Sequence, residues 1–127
     1  MKDLCIIQEN NPTLLIQVGE SLGKAGINIE GLSLSSLNKL SVVHFLVEDE
    51  KASVNTLKSI GIEVSAISEV FVFHKDKKQV TGKPGSFGGI CRTLNENGLK
   101  IIFGYPAENN RFVFGVDNIE KAKQLLS

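Results

Sequence analysis

The chain has 127 residues, with 14 Lys+Arg balanced by 14 Asp+Glu and 42% apolar residues. That length fits one compact domain or two very small ones, and the apolar share supports a packed core, not a disordered chain. Zero net charge leaves no long-range field to gather phosphates, which argues against general nucleic-acid binding, and no apolar run reaches the ~18 residues a membrane helix needs.

The opening Met1-Lys2-Asp3-Leu4 carries an acid too early, and too short an apolar stretch, for a secretory signal. The expected location is therefore cytoplasmic. Cys5 and Cys91 are the only cysteines and form no C-x-x-C pair, so each reads as a small buried hydrophobe. His44 and His74 lie on strand-like segments without a second imidazole at ligand spacing, so no metal site is expected.

Leu4–Gln8 reads as a first strand. Asn11 is read as an N-cap, with Pro12 in the first helical turn, where its missing N–H costs nothing. Leu15, Val18, Leu22 and Ala25 then recur at helical spacing, and Gly26 supplies a left-handed stop. Ile27–Leu34 is extended. Val42–Val47 alternates with period two and is the next strand. Asp49 caps a second helix whose inward face is Val54, Leu57 and Ile60, ended by Gly61. Ile62–Ser68 is read as the closing strand of this unit, and Glu69–His74 as the first strand of the next.

The second half repeats the first. Pro12, Leu22, Gly26 and Ile29 match Pro84, Leu94, Gly98 and Ile101, each 72 apart (84−12, 94−22, 98−26, 101−29). Val43, Phe45 and Val47 then match Phe112, Phe114 and Val116, each 69 apart (112−43, 114−45, 116−47). The three-residue shortening is expected at a turn, around Ser36–Leu40 and Ala107–Asn110. Phe87, Ile90 and Leu94 give the helix face of the second copy, Leu99–Tyr105 and Arg111–Val116 its strands, and Asp117 with Glu120 its second helix start. Ile119, Ala122, Leu125 and Leu126 line that helix. The Val43/Phe112 face should meet the helices.

The expected fold is α+β: two tandem ferredoxin-like (βαββαβ) units, Met1–Ser68 and Glu69–Ser127, with antiparallel sheets and helices on one face. The second unit lacks a last strand. An open sheet edge invites pairing, so a homodimer through sheet edges or helix-opening turns is expected. Lys75–Lys83 has no counterpart in the first copy and reads as a loop insertion, its lysine run a solvated hairpin tip, or as a strand extension over Gln79–Thr81.

Asn10-Asn11-Pro12-Thr13 and Gly26-Ile27-Asn28-Ile29 in the first copy resemble the ACT domain family. So do Lys83-Pro84-Gly85-Ser86 and Asn97-Gly98-Leu99-Lys100-Ile101 in the second. The resemblance covers Leu4 to Leu126. It implies a regulatory protein, not an enzyme, that binds a small molecule, an amino acid by preference, between ACT-like units and signals through a partner such as a metabolic enzyme. The ligand-facing positions it implies are Asn10, Asn11, Pro12, Thr13, Leu14, Asn28 and Ile29, and in the second copy Lys83, Pro84, Gly85, Ser86 and Phe87. No cofactor is implied. Pro12-Thr13 departs from the Pro-Gly the family favours, which narrows the close backbone approach a glycine permits.

A helix N-terminus offers unused N–H groups to a carboxylate, and asparagine offers both a donor and an acceptor. The structural alternative is that Asn11 and Ser86 only cap helices. Gly82–Gly89 fails the phosphate-loop pattern because its lysine precedes the glycine-rich turn. Arg111-Phe112-Val113-Phe114 faintly echoes an RNA-binding strand, but the repeat places those phenylalanines on the core face. The rival to a sensor is a ligand-free interaction or dimerisation module.

Overall fold

The computed structural model describes every residue, Met1–Ser127. The chain forms two compact units, Met1–Ser68 and Glu69–Ser127.

The first unit runs β1 (Lys2–Glu9), α1 (Leu14–Lys24), β2 (Gly31–Leu37), β3 (Leu40–Val47), α2 (Glu50–Ser59) and β4 (Ala66–Glu69). Its strand order is β4-β1-β3-β2. Both β1 and β2 are antiparallel to β3, with Leu4 opposite Phe45 and Leu34 opposite Val43. Leu4, Ile6, Val43, Phe45 and Val47 of the sheet pack against Leu14, Val18 and Leu22 of α1 and Leu57 of α2. Alternation along the strands puts these residues on one face, so both helices cover the same side.

The second unit runs β5 (Phe71–His74), a 3-10 turn (Asp76–Lys78), α3 (Ser86–Glu96), β6 (Ile101–Ala107), β7 (Arg111–Val116) and α4 (Ile119–Leu126). Its strand order is β6-β7-β5, all antiparallel. Phe71, Phe73, Phe114 and Val116 pack against Leu94 and Ala122, with Ile90, Phe112 and Ile119 alongside. The two units are thus ferredoxin-like, and the second has three strands where the first has four.

The repeat holds in register. Leu34 lies opposite Val43 and Pro106 opposite Phe112. Eight residues separate the first pair (43−34−1) and five the second (112−106−1), so the three-residue shortening sits in the hairpin end.

Three helices end alike. Gly26, Gly61 and Gly98 all have positive φ. The next N–H donates back five residues each time: Ile27 to Leu22 O at 2.9 Å, Ile62 to Leu57 O at 2.9 Å, and Leu99 to Leu94 O at 3.0 Å. This is the Schellman closure, and its apolar contact is built from leucines that are fully buried.

The helix starts differ from expectation. Helix α1 begins at Leu14, because Asn11 Oδ1 accepts from the N–H and hydroxyl of Thr13 and holds Pro12–Thr13 as a turn. Asn11 therefore shapes the corner before the helix and is not its N-cap. The buried stripe is Leu14, Val18 and Leu22, whereas Leu15 is 37% exposed and Ala25 is exposed. Asp49 caps α2 as expected, accepting from Ala52 N. Ile60, however, is 45% exposed, and Ser53 and Ile62 fill the inner positions. Asn118, not Asp117, caps α4, accepting from Lys121 N. Asp117 instead accepts from Lys100 N at 2.9 Å, tying the start of β6 to the end of β7. No helix is long and apolar enough to cross a membrane.

Candidate functional site

The second unit contains a cavity of about 620 Å³ beside its first helix-opening turn. Phe73 of β5 and Phe112 and Phe114 of β7 form its sheet side. Ser86, Phe87 and Ile90 come from the first turns of α3. Lys75, Val80, Thr81, Gly82, Lys83 and Pro84 close it from the loop after β5, and Pro106 and Asn110 from the β6–β7 hairpin. The volume falls within the range of about 300–1,000 Å³ typical of small-molecule sites.

Local chemistry explains the shape. Phe87 is 50% exposed because its ring leans over the cavity, with its centroid 4.9 Å from Phe112 and 6.2 Å from Phe114. Phe112 and Phe114 are themselves 4.7 Å apart, so three rings make one continuous aromatic wall. Lys75 Nζ stands 5.9 Å from the Phe112 centroid, within cation–π reach.

The loop after β5 is an insertion whose Lys77, Lys78 and Lys83 are exposed, as a solvated lysine run should be, and it is not a strand extension. It forms the 3-10 turn, then bends through Gln79 at φ 54, and Val80 drops onto the second core. Asn110 Nδ2 donates to Asp76 Oδ1 at 2.6 Å and to Thr81 Oγ1 at 2.7 Å, and Thr81 Oγ1 donates to Asp76 Oδ1 at 3.2 Å. These bonds fasten the loop to the hairpin. Ser86 Oγ donates to Val80 O at 3.2 Å and fastens it to α3.

Of the second-copy positions singled out in the sequence, Lys83, Pro84, Ser86 and Phe87 line the cavity. Gly85 stands at the α3 N-cap with φ 84, where it turns the chain and does not wall the cavity. In the first copy, Leu14 is core and Ile29 is packed against it. Asn10 accepts from Ser41 Oγ at 2.7 Å, and Asn11 is committed to Thr13 and Gln17. Pro12, Thr13 and Asn28 are exposed. The first-unit turn is thus held together by its own polar groups.

Sequence reasoning did not identify Phe73, Val80, Ile90 or Asn110 as lining residues, and it placed Phe112 and Phe114 on the core face without seeing that they also wall a cavity. The phenylalanines read as ordinary core. Asn109-Asn110 could have signalled a left-handed turn, which both residues adopt at φ 59 and 55, but Asp76 lies 34 residues from Asn110.

A second cluster lies in the first unit, on the sheet face away from the helices. His44 Nδ1 is 2.8 Å from the buried Asp3 Oδ2, and its Nε2 is 3.9 Å from Cys5 Sγ. The order of groups resembles a Cys-His-Asp arrangement. Burial and then the Asp3 charge push the Cys5 thiol above its ordinary value, however, the reverse of what a thiolate nucleophile requires. Burial likewise raises the Cys91 thiol. No group of three or more His, Cys, Asp or Glu side chains is placed to hold a metal ion.

In overall fold, the chain is similar to a protein from Bacteroides thetaiotaomicron, at 25% identity and TM-score 0.76, covering 98% of this chain and 84% of that one. It is also similar to the ligand-free regulatory subunit of aspartate kinase from Thermus thermophilus, at 13% identity and TM-score 0.74, covering 98% and 87%. The corresponding subunit from Thermus flavus gives 12% identity and TM-score 0.67, covering 98% and 88%. No curated protein matches the sequence. The family model of the ACT domain pair matches residues 1–127. With that match over its whole length, on two ferredoxin-like units in tandem, the chain belongs to the ACT domain pair family.

Proposed function

We propose that this chain is a non-catalytic regulatory module that senses a small organic carboxylate, the class that includes amino acids, and passes the signal to a partner chain. The observation that carries this is the second-unit cavity, built around the helix-opening turn that the family resemblance singles out. Lys83, Pro84, Ser86 and Phe87 are its proposed ligand-facing residues. Asn10, Asn11, Pro12, Thr13 and Leu14 are assigned the supporting role of building the equivalent corner in the first unit, while Asn28 and Ile29 lie in the segment after α1. A regulatory subunit of aspartate kinase with the same fold is a precedent for output through a separate enzyme.

Carboxylate recognition is supported by two lysines at an apolar cavity, since a charge set against a low-dielectric wall is felt more strongly than in water. Catalysis is not supported. The cavity has no His, Cys, Asp or Glu in its wall to serve as base or nucleophile, and burial pushes the Cys5 thiol above its ordinary value.

A thermal-shift screen over the amino acids and small organic acids tests the proposal. A ligand that binds only the folded state adds ~2.7 kcal/mol at 100 times its Kd, which raises the midpoint by several degrees. Silence across the whole set would remove the sensor reading.

One observation favours a second reading, a self-associating interaction module. Ile7, Leu37 and Leu40 lie on the sheet face of the first unit away from the helices and are 50%, 78% and 49% exposed. Grouped apolar surface of this kind marks interaction sites. Sedimentation analysis separates the two: a ligand-independent dimer together with a silent screen supports the interaction module.

A further inference from the structure

We propose that the ligand of the second-unit cavity is an aromatic carboxylate that lacks an α-ammonium group, an arylalkanoic acid as opposed to an amino acid. This rests on the sensor reading above and narrows it.

Three observations carry the inference. First, Phe87, Phe112 and Phe114 form a continuous aromatic wall with centroids 4.7–6.2 Å apart, Phe112 tilted 58° to Phe87 and 49° to Phe114, and such a wall favours contact with one more flat ring. Second, Lys75 and Lys83 line the same cavity, and neither is ion-paired to a carboxylate. The loop carries four lysines, at 75, 77, 78 and 83, against the single acid Asp76, a local charge of +3 (4−1) in a chain that is neutral overall. Third, the wall contains no Asp or Glu. Asp76 lies outside it, and its Oδ1 accepts from both Asn110 and Thr81.

An amino acid brings both charges into its site. Its ammonium would meet no carboxylate in the cavity wall and two lysine cations that repel it. Like charges set side by side at a binding surface are unfavourable, so a zwitterion is selected against. The same ligand without its ammonium keeps the lysine contact and the ring contact and loses only the repulsion.

The test uses the full chain and two probes that differ only in the ammonium, 3-phenylpropanoate and L-phenylalanine, compared by calorimetric titration at low salt. The expected result is that 3-phenylpropanoate binds at least tenfold more tightly. The Lys75→Gln/Lys83→Gln double variant should lose at least tenfold affinity for it and leave unchanged the weaker binding of the uncharged alcohol 3-phenylpropan-1-ol. Phe87→Ala should weaken binding of acid and alcohol alike. Nitrogen-15 NMR of the wild-type chain adds a measurement independent of any variant's folding, with shifts expected at Val80, Phe87 and Phe112. If L-phenylalanine or any amino acid in the thermal-shift screen binds and 3-phenylpropanoate does not, this inference is overturned and the sensor reading stands. If no organic acid and no amino acid binds, both fall. Binding of the acid that is indifferent to both lysines, or that shifts residues remote from the cavity, also overturns the assignment.

Discussion

Among single residues, the β6–β7 pair shows how one missing side chain sets local packing. Phe103 lies opposite Gly115 in register, and its ring covers the glycine so closely that a Cβ there would stand 2.2 Å from Cε2. Contacts under 3 Å force a shift, and a ring in a paired strand has little room to give. Gly115→Ala is therefore expected to cost about 1–3 kcal/mol in urea denaturation. In a Phe103→Ala background most of that cost should vanish, because the colliding atoms are gone. Equal costs in both backgrounds would show that the glycine is needed for another reason. This pairing was not legible in the sequence, where Gly115 appeared only as one alternating position of a strand. The clash depends on cross-strand register, including the irregularity between Ile101 and Phe103.

Among the helices and strands, the sequence was most legible where a helix stops. Gly26, Gly61 and Gly98 were each identified by position, and all adopt positive φ with the same backward hydrogen bond. Only glycine reaches that conformation at little cost, so the residue type alone carries the information. Gly98→Ala is accordingly expected to destabilise the second unit by about 1–2 kcal/mol. Gly19, inside α1 and with no atom within 4 Å of where an alanine Cβ would stand, should behave in the opposite way. Gly19→Ala is expected to stabilise by about 0.5–1 kcal/mol, through helix propensity alone. Thermal melts of the two variants that move in the same direction would contradict this account. Helix starts were less legible. Asp117 and Asn118 are adjacent and both can cap, and the choice between them was made by Lys100 N, which Asp117 satisfies from 17 residues away.

Across the full chain, the internal repeat predicts that equivalent positions do equivalent work. Leu22 and Leu94 are 72 apart, both fully buried, and both supply the carbonyl that closes their helix. Leu22→Ala and Leu94→Ala are each expected to cost ~2–5 kcal/mol in chemical denaturation, since both open a cavity in a packed core. A small effect at either one would mean that the two units are not variants of one architecture. The units diverge at the segment between first strand and first helix. In the first, Glu9 and Leu14 are joined by a four-residue corner closed by Asn11; in the second, His74 and Ser86 are joined by eleven residues that enclose a cavity.

Two ferredoxin-like units, their helix stops, the strand faces that meet the helices, and the hairpin where the copies differ by three residues can all be read from the chain alone. They follow from periodicity, from the conformational freedom of glycine and from the offset between copies, which are properties of neighbouring residues or of simple alignment. The cavity is of another kind. Packing in three dimensions folds Lys75–Lys83 back over three phenylalanine rings and lets Asn110 pin it through Asp76 and Thr81. Side chains that meet across 25 or more residues leave no period in the chain, and a lysine-rich segment reads the same whether it stands free in solvent or folds back over a cavity.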